Sequence, residues 1–342
     1  MKIAIHNTEA GFHQRWRSYC KTHNIEFKDV DCYADDIILQ LKGCDALMWH
    51  YWQTSSKDFL KAKRLLFALE HAGFIVFPNF NTAWHFDDKI AQKYLLEVLN
   101  LPLVKSYHFI EKSEAMNWIN KTTFPKVFKL KGGAGSSNVQ LVRDKSKAIK
   151  LTKKAFGSGF KIYDGFASLK ERYRMYKEGK DTIIGVLKSF YRLFRNPIYS
   201  NVMGVIKNEI YFQDFVPNND FDIRVIVVGD KAFAIKRIVR ENDFRASGSG
   251  NTLYAKENFE TSLIKSSFDY ANRLNVQSCG FDYVMLDGIP KIVEISYGYA
   301  IEVYDDCVGY WDKNLNFHEG KFDSTNWMID TVISQINNKN EY

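Results

Sequence analysis

The chain has 342 residues, which at roughly 150 residues per domain is enough for two or three folded units. A composition of 46% hydrophobic and 25% charged residues, with 20 Gly and 6 Pro, excludes disordered, collagen-like and linker-dominated chains. The net charge of +7 suits an anionic partner, from a nucleotide to a nucleic acid, without choosing between them.

No apolar run approaches the ~18 residues of a membrane span. The opening 16 residues, MKIAIHNTEAGFHQRW, meet charge and polarity too soon for a signal peptide, so a cytoplasmic location is expected. Cys20, Cys32, Cys44, Cys279 and Cys307 form no CxxC pair, and the His residues form no HExxH, so reduced thiols are expected rather than disulfides or a zinc site.

Residues 1–6 read as a strand, 11–23 as a helix and 26–30 as a second strand. Residues 45–49 and 73–78 give two more, with a charged helix over 56–71. Strands alternating with helices predict a parallel α/β unit with a crevice at the carboxyl ends of its strands, where loop 49–55 lies. Residues 82–100 read as one amphipathic helix capped by Asp87 or Asp88, with Ala91, Tyr94, Leu95 and Val98 on one face. A strand over 124–130, a Gly/Ser loop KGGAGSSN over 131–138 and a strand over 139–142 follow. Strand–loop–strand fails the context of a P-loop or a dinucleotide fingerprint.

Residues 145–207 contain 15 Lys or Arg, against six acids over 144–209. Helical spacing over 168–176 and 181–194 predicts a solvated helical hairpin, or a binding face for phosphate, a carrier or nucleic acid. No nucleic-acid-binding signature supports the last. The final third predicts strands at 209–216, 222–228, 231–239, 280–286 and 290–296, with a helix over 259–274. Gly229–Asp230 and Asp287–Gly288 are hairpin turns, so that sheet is at least partly antiparallel.

Lys126 and Lys129 precede the glycine loop, an arrangement that can offer a cation and many N–H groups to phosphate. Asp282 and Glu294 lie on neighbouring strands, and Glu294 and Ser296 share a strand face. Such oxygens suit Mg²⁺, and they also suit a plain surface pair. Arg224, Lys236, Arg237 and Arg245 can converge on anionic oxygens or pair with surface acids. The segment Gln213–Asp214–Phe215–Val216–Pro217 is extended and can connect two units.

The order of these pieces over about residues 75–300 resembles the ATP-grasp superfamily, in particular its glutathione synthetase/RimK-type carboxylate–amine ligases. The resemblance implies an ATP-grasp fold: an N-terminal parallel α/β domain (1–104), a central subdomain (105–212) and a C-terminal subdomain (213–342). The nucleotide-binding part is α+β, and the basic insertion spans about 145–208. It implies that Lys89 and Lys129 approach the nucleotide phosphates. It implies a flap over 132–138, with Gly132, Gly133, Gly135 and Ser136 closing on them. Gln213, Asp214, Phe215 and Val216 would meet adenine, and Asp222, with Asp220 as a rival, the ribose. Lys236 would lie with the nucleotide, Arg237 on the phosphate side, and Arg245 would polarise the acyl group. Asp282, Glu294 and Ser296 would hold one or two Mg²⁺ ions, although Ser296 stands where the family carries Asn. The family's Asn-Pro-Gly turn is replaced by Tyr297–Gly298–Tyr299, so the acceptor does not carry over.

The implied activity is ATP-dependent formation of an amide or peptide-like bond through an acyl phosphate. The partners would be a small carboxylate and an amine, not nucleic acid or a membrane span, and a homodimer fits the family. The acceptor region is expected at His50–Trp52, loop 245–251 and residues 297–306, with aromatic tail 310–320 as a cap. Two alternatives stand beside this reading: a catalytically weak ATP-binding module and a polyanion binder using the insertion.

Overall fold

The computed structural model describes residues 1–132, 138–161, 165–177, 179, 182–192, 200, 202, 204–240, 243–246, 248 and 250–340. The chain begins with β1 (Lys2–His6), α1 (His13–Thr22), β2 (Glu26–Val30), α2 (Ile37–Gln40), β3 (Ala46–Met48), α3 (Ser56–His71) and β4 (Ile75–Phe77). The strands form a parallel sheet in the order β2-β1-β3-β4, as the alternation of strand and helix requires. Fully buried Ile3, Ile5, Trp16, Met48 and Phe77 pack on one face and Ala4, Leu47, Trp49 and Val76 on the other.

The single helix expected over 82–100 is broken. A short α4 (Phe80–Ala83) precedes α5 (Lys89–Val98). Asp87 takes a left-handed φ of +57° and Asp88 is extended, so neither continues a helix. Asp88 instead caps α5, its Oδ1 accepting from the amides of Ile90 and Ala91 at 3.0 Å each. The buried face also differs from the expected one. It carries Lys89, Gln92 and Leu96, while Tyr94 and Val98 are exposed. The helical period was legible, but its phase is set by a tertiary bond. Gln92 donates to the Ile295 carbonyl at 2.9 Å and accepts from its amide at 3.2 Å.

The middle of the chain supplies β5 (Ser106–Phe109), α6 (Lys112–Lys121), β6 (Lys126–Lys129), β7 (Val139–Val142), α7 (Lys145–Ala155) and β8 (Phe160–Lys161). Then come α8 (Gly165–Lys177), α9 (Ile183–Tyr191), β9 (Val205–Ile206) and β10 (Ile210–Asp214). An antiparallel sheet runs β5-β10-β6-β7. Ile119, Phe128, Leu151 and Phe212 bury its outer face under α6 and α7, leaving Val127, Lys129 and Gln213 on the other face. The basic insertion is rooted in the small β8–β9 ladder and rises as the α8–α9 hairpin. β10 stays paired with β5 and β6 as far as Gln213 and Asp214, respectively, and the chain leaves this sheet beyond that residue.

The last part adds β11 (Phe221–Val228), β12 (Lys231–Ile238), β13 (Thr252–Leu253), α10 (Thr261–Leu274), β14 (Ser278–Leu286), β15 (Ile289–Ser296), β16 (Gly309–Asp312), β17 (Phe317–Glu319) and α11 (Ser324–Asn340). Its sheet runs β15-β14-β11-β12-β16-β17, with β13 on β12. The hairpin β14–β15 turns at Asp287 and Gly288, both at positive φ, the geometry that a two-residue turn favours. α11 packs beside α1, so Trp327, Met328 and Val332 share a core with Trp16 and Phe77.

The aromatic tail does not cap the site. It forms the β16–β17 hairpin, which extends the sheet, and Trp311 packs against Phe259 and Phe317. A Cβ on Gly309 would lie 2.4 Å from the His318 carbonyl and 2.6 Å from the Phe317 ring. Gly309→Ala is therefore expected to destabilise the fold by about 1–3 kcal/mol, as overpacked sites do. A chemical-denaturation midpoint equal to the wild type would contradict it.

Candidate active site

The central and C-terminal sheets face each other across a cleft of about 790 Å³. Its walls include Lys89, Val127, Lys129, Gln213–Val216, Asp222, Arg224, Arg237, Arg245, Asp282, Val293, Glu294 and Ser296. Trp52, Phe86, Phe244 and Tyr299 also line it.

The charged floor follows from strand register. In the antiparallel ladders Glu294 stands opposite Asp282, Asp282 opposite Arg224, and Asp222 opposite Arg237. Residues directly opposite project from the same sheet face, so two adjacent rows carry all five groups. Arg224 grips Asp282 with Nε at 2.5 Å and Nη2 at 2.6 Å. Arg237 grips Asp222 at 2.6 and 2.9 Å and reaches Asp282 at 2.9 Å. Although burial opposes ionisation, these two guanidinium groups hold the Asp282 carboxyl down at about 2. Burial pushes Asp222 the other way, upward, against the attraction of Arg237.

Lys89 reaches the same floor from α5. Gln92, one turn along, is bonded to Ile295, and that contact lays Lys89 over Glu294 with Nζ 3.0 Å from Oε1. Burial opposes its charge, but Glu294 and Asp87 outweigh that and raise its pKa.

Lys129 comes from the opposite sheet. Its ammonium donates to Gln213 Oε1 at 2.6 Å and to the Val293 carbonyl at 3.4 Å. That carbonyl is available because the β14–β15 register shifts between Asp282 and Tyr283, leaving Val293 as the extra residue of a bulge. Gln213 in turn donates to Ser106 Oγ at 3.1 Å. Burial pushes the Lys129 ammonium down to about 8, against the pull of Glu294.

This sets a pH dependence. Between about 8 and the unfolded-chain value near 10.4, the unfolded state holds the proton that folded Lys129 has lost, so this group stabilises the fold as pH rises. An anion held by the charged form responds oppositely. Affinity for a phosphate ligand should fall by up to about tenfold per pH unit above 8, and Lys129→Met should remove that component. Unfolding midpoints and phosphate-ligand titrations at a series of pH values check the two signs; matching affinity slopes for the two proteins would refute the assignment.

The remaining predicted positions are distributed as follows. Arg245 lines the cleft and pairs with Asp243, Nη2 to Oδ2 at 2.6 Å. Lys236 does not line it; its ammonium lies 3.7 Å over the Phe221 ring. Asp214 pairs with Lys126 at 2.6 Å, and Phe215 and Val216 add apolar wall. Ser296 Oγ donates to the Gly298 carbonyl at 2.8 Å. Gly132 approaches Asp87, where a Cβ would lie 2.9 Å from Oδ2. Gly133, Gly135 and Ser136 lie outside the described residues. Tyr297 and Tyr299 are buried packing groups. The Tyr297 hydroxyl accepts from the Tyr51 amide and donates to its carbonyl, and the Tyr299 hydroxyl bonds to Ser324. His50 is also enclosed, stacked on Phe12, which leaves Trp52 as the wall residue of the 50–52 loop. Arg224 is the residue whose weight the sequence reading missed. Strand alternation from Asp222 places it on the floor, but its bidentate grip on Asp282 needs the register.

Among the described residues no group of three or more His, Cys, Asp and Glu forms a metal cage. Two opposed carboxylates, Asp282 and Glu294, remain. That hard-oxygen pair fits Mg²⁺, which is often held by one or two carboxylates with water and substrate phosphates completing the shell.

The RimK-like ATP-grasp domain family matches residues 195–307, the stretch holding Gln213, Arg237, Asp282 and Glu294. Solved structures with the same fold include a RimK-domain ATP-grasp protein from Sphaerobacter thermophilus, at 13% identity and TM-score 0.56, covering 97% of this chain and 100% of that one. D-alanine–D-alanine ligase from Bacillus anthracis, complexed with ATP, has 13% identity and TM-score 0.57, with 99% of each chain covered. N5-carboxyaminoimidazole ribonucleotide synthetase from Thermotoga maritima has 13% identity and TM-score 0.57, covering 97% of this chain and 75% of that one. No curated protein matches the sequence. The chain thus carries a RimK-like ATP-grasp domain over residues 195–307, around the charged floor, and shares the fold of these solved structures along its length.

Proposed function

We propose that the protein is an ATP-dependent carboxylate–amine ligase working in this cleft. One observation carries the reading: Lys89, Lys129, Arg224 and Arg237 converge from both sheets on the row holding Asp282 and Glu294. Every one of those cations is already engaged with a protein oxygen, three of them with carboxylates and Lys129 with an amide and a carbonyl oxygen. A triphosphate offers competing oxygens of the same kind. Apolar Val127, Phe215, Val216 and Val293 would flank adenine, with Gln213 and Asp214 at its edge and Asp222 towards the ribose.

In the first step a carboxylate oxygen attacks the γ-phosphorus. The bond to the β-γ bridging oxygen breaks, giving an acyl phosphate and ADP. In the second step an amine nitrogen attacks the acyl carbon, the carbon–oxygen bond to phosphate breaks, and the nitrogen loses a proton. Lys89, Lys129 and Arg237 position the phosphoryl group and spread its charge. Arg245, which lines the cleft, would stabilise the oxyanion of the second step. Asp282 and Glu294 would hold Mg²⁺, which supplies charge neutralisation at phosphate oxygens. The glycine loop over 132–138 would exclude water from the acyl phosphate.

The walls Trp52, Phe86, Phe244 and Arg245 would receive a ring-bearing amine such as an amino sugar, a chemistry used in surface-polysaccharide or secondary-metabolite synthesis. A screen of acid and amine pairs for ADP release tests the ligase reading. Release that requires both partners supports it; release with plain amino acids alone contradicts the ring-bearing acceptor. The double arginine clamp on Asp282 favours a second reading, a nucleotide binder without turnover. That reading requires ATP binding with no acceptor-dependent ADP release.

A further inference from the structure

The α8–α9 hairpin is built inside out. α9 buries its small residues, Gly185 and Ser189, and exposes its large apolar ones. Ile183, Ile184, Leu187, Phe190 and Tyr191 are 50–60% exposed. At about 100° per residue these five fall on one face, and Gly185 and Ser189 fall about 180° away. Tyr173 and Tyr176 of α8 are exposed as well. A contiguous apolar stripe of this kind is uncommon on a free surface and marks a place that something covers.

Charge says what covers it. Residues 165–192 carry seven Lys or Arg against three acids. Lys188 is exposed and sits about 100° around α9 from the middle of the stripe, at its edge, and the exposed Arg192 follows at the helix end. Lys170 and Lys177 are exposed on α8. Cations flanking an apolar stripe can keep their heads at a polar boundary while the stripe enters an apolar phase. Tyrosine favours the same boundary. A second copy would bring one basic hairpin against another. The stripe lies on a helix pair that grows from the β8–β9 ladder, and no described hairpin residue walls the cleft.

From this we infer that the α8–α9 hairpin docks the protein on the surface of an anionic lipid bilayer. Ile183, Ile184, Leu187 and Phe190 would enter the acyl boundary, and the flanking lysines and arginines would meet lipid phosphates. No helix among the described residues is long and apolar enough to cross a membrane, so the attachment is interfacial.

Sedimentation with vesicles tests this on the full chain. One set is phosphatidylcholine alone, and the other has about a third of its lipid replaced by phosphatidylglycerol. The wild type should co-sediment with the anionic set at least tenfold better than with the neutral set, and salt should weaken it. Ile184→Ser with Leu187→Ser should lose about tenfold in binding, and Lys177→Glu with Lys188→Glu should lose at least as much. All four positions are exposed, so the unfolding midpoint should not move. Equal sedimentation of wild type and variants, or none with either set, would overturn the proposal. So would retention by RNA with no vesicle binding, or a wild-type dimer that the serine variant abolishes.

Discussion

Glu294→Gln is expected to lower acceptor-dependent ADP release by about 100-fold or more, the size seen when one charge-stabilising group is removed from a reaction centre. The side chain keeps its shape but loses the charge that faces Lys89 at 3.0 Å and stands opposite Asp282. Lys89 remains charged and buried without that partner, so a modest drop in unfolding temperature should accompany the loss. The change also leaves Asp282 as the single carboxylate of the row, which should weaken Mg²⁺-dependent nucleotide binding. Activity above a tenth of the wild type, in a protein that still melts cooperatively, would remove Glu294 from the machinery.

Lys129→Met should weaken ATP binding by about 10- to 100-fold, or roughly 1.4–2.7 kcal/mol. The methionine fills the space of the lysine stem and removes only the charge. Two effects on stability oppose each other: a buried ammonium is no longer desolvated, but Gln213 Oε1 loses its donor at 2.6 Å. The unfolding midpoint should therefore change little while affinity falls. An affinity equal to the wild type would place the phosphates elsewhere. Calorimetric titration with ATP separates the outcomes.

The legible parts of the chain are those where period, turn and cap agree. The strands at Glu26–Val30 and Val139–Val142 and the helix at Ser56–His71 have the bounds their sequence implies. The two hairpin turns imply a C-terminal sheet that is at least partly antiparallel, and both hairpin ladders are antiparallel. The resemblance brought Lys89, Lys129, Arg237, Asp282 and Glu294 forward, and one cleft gathers them. Their partners were not legible. Arg224 on Asp282 depends on which residues stand opposite across a ladder, and the lysine–carbonyl bond at Val293 depends on a bulge. Strand alternation shows neither. The phase of α5 was misread for a related reason, since Gln92 is polar yet buried by its bonds to Ile295, far along the chain. The C-terminal helix α11 carries Met328, Val332 and Ile336 on one side, but the surface it covers, α1 and the first sheet, lies at the other end of the sequence. Arg245 and Lys236 were both expected at the ligand, and alternation along β12 separates Lys236 from Arg237.

In the proposed function the cleft between the two antiparallel sheets holds ATP, with Mg²⁺ on Asp282 and Glu294. Calorimetric titration of the wild type with a non-hydrolysable ATP analogue, with and without Mg²⁺, is the test. Micromolar binding, about −8 kcal/mol, that weakens without Mg²⁺ and loses this Mg²⁺ dependence in Glu294→Gln is the predicted result. No binding by the wild type, or binding that ignores both Mg²⁺ and Glu294, would contradict it.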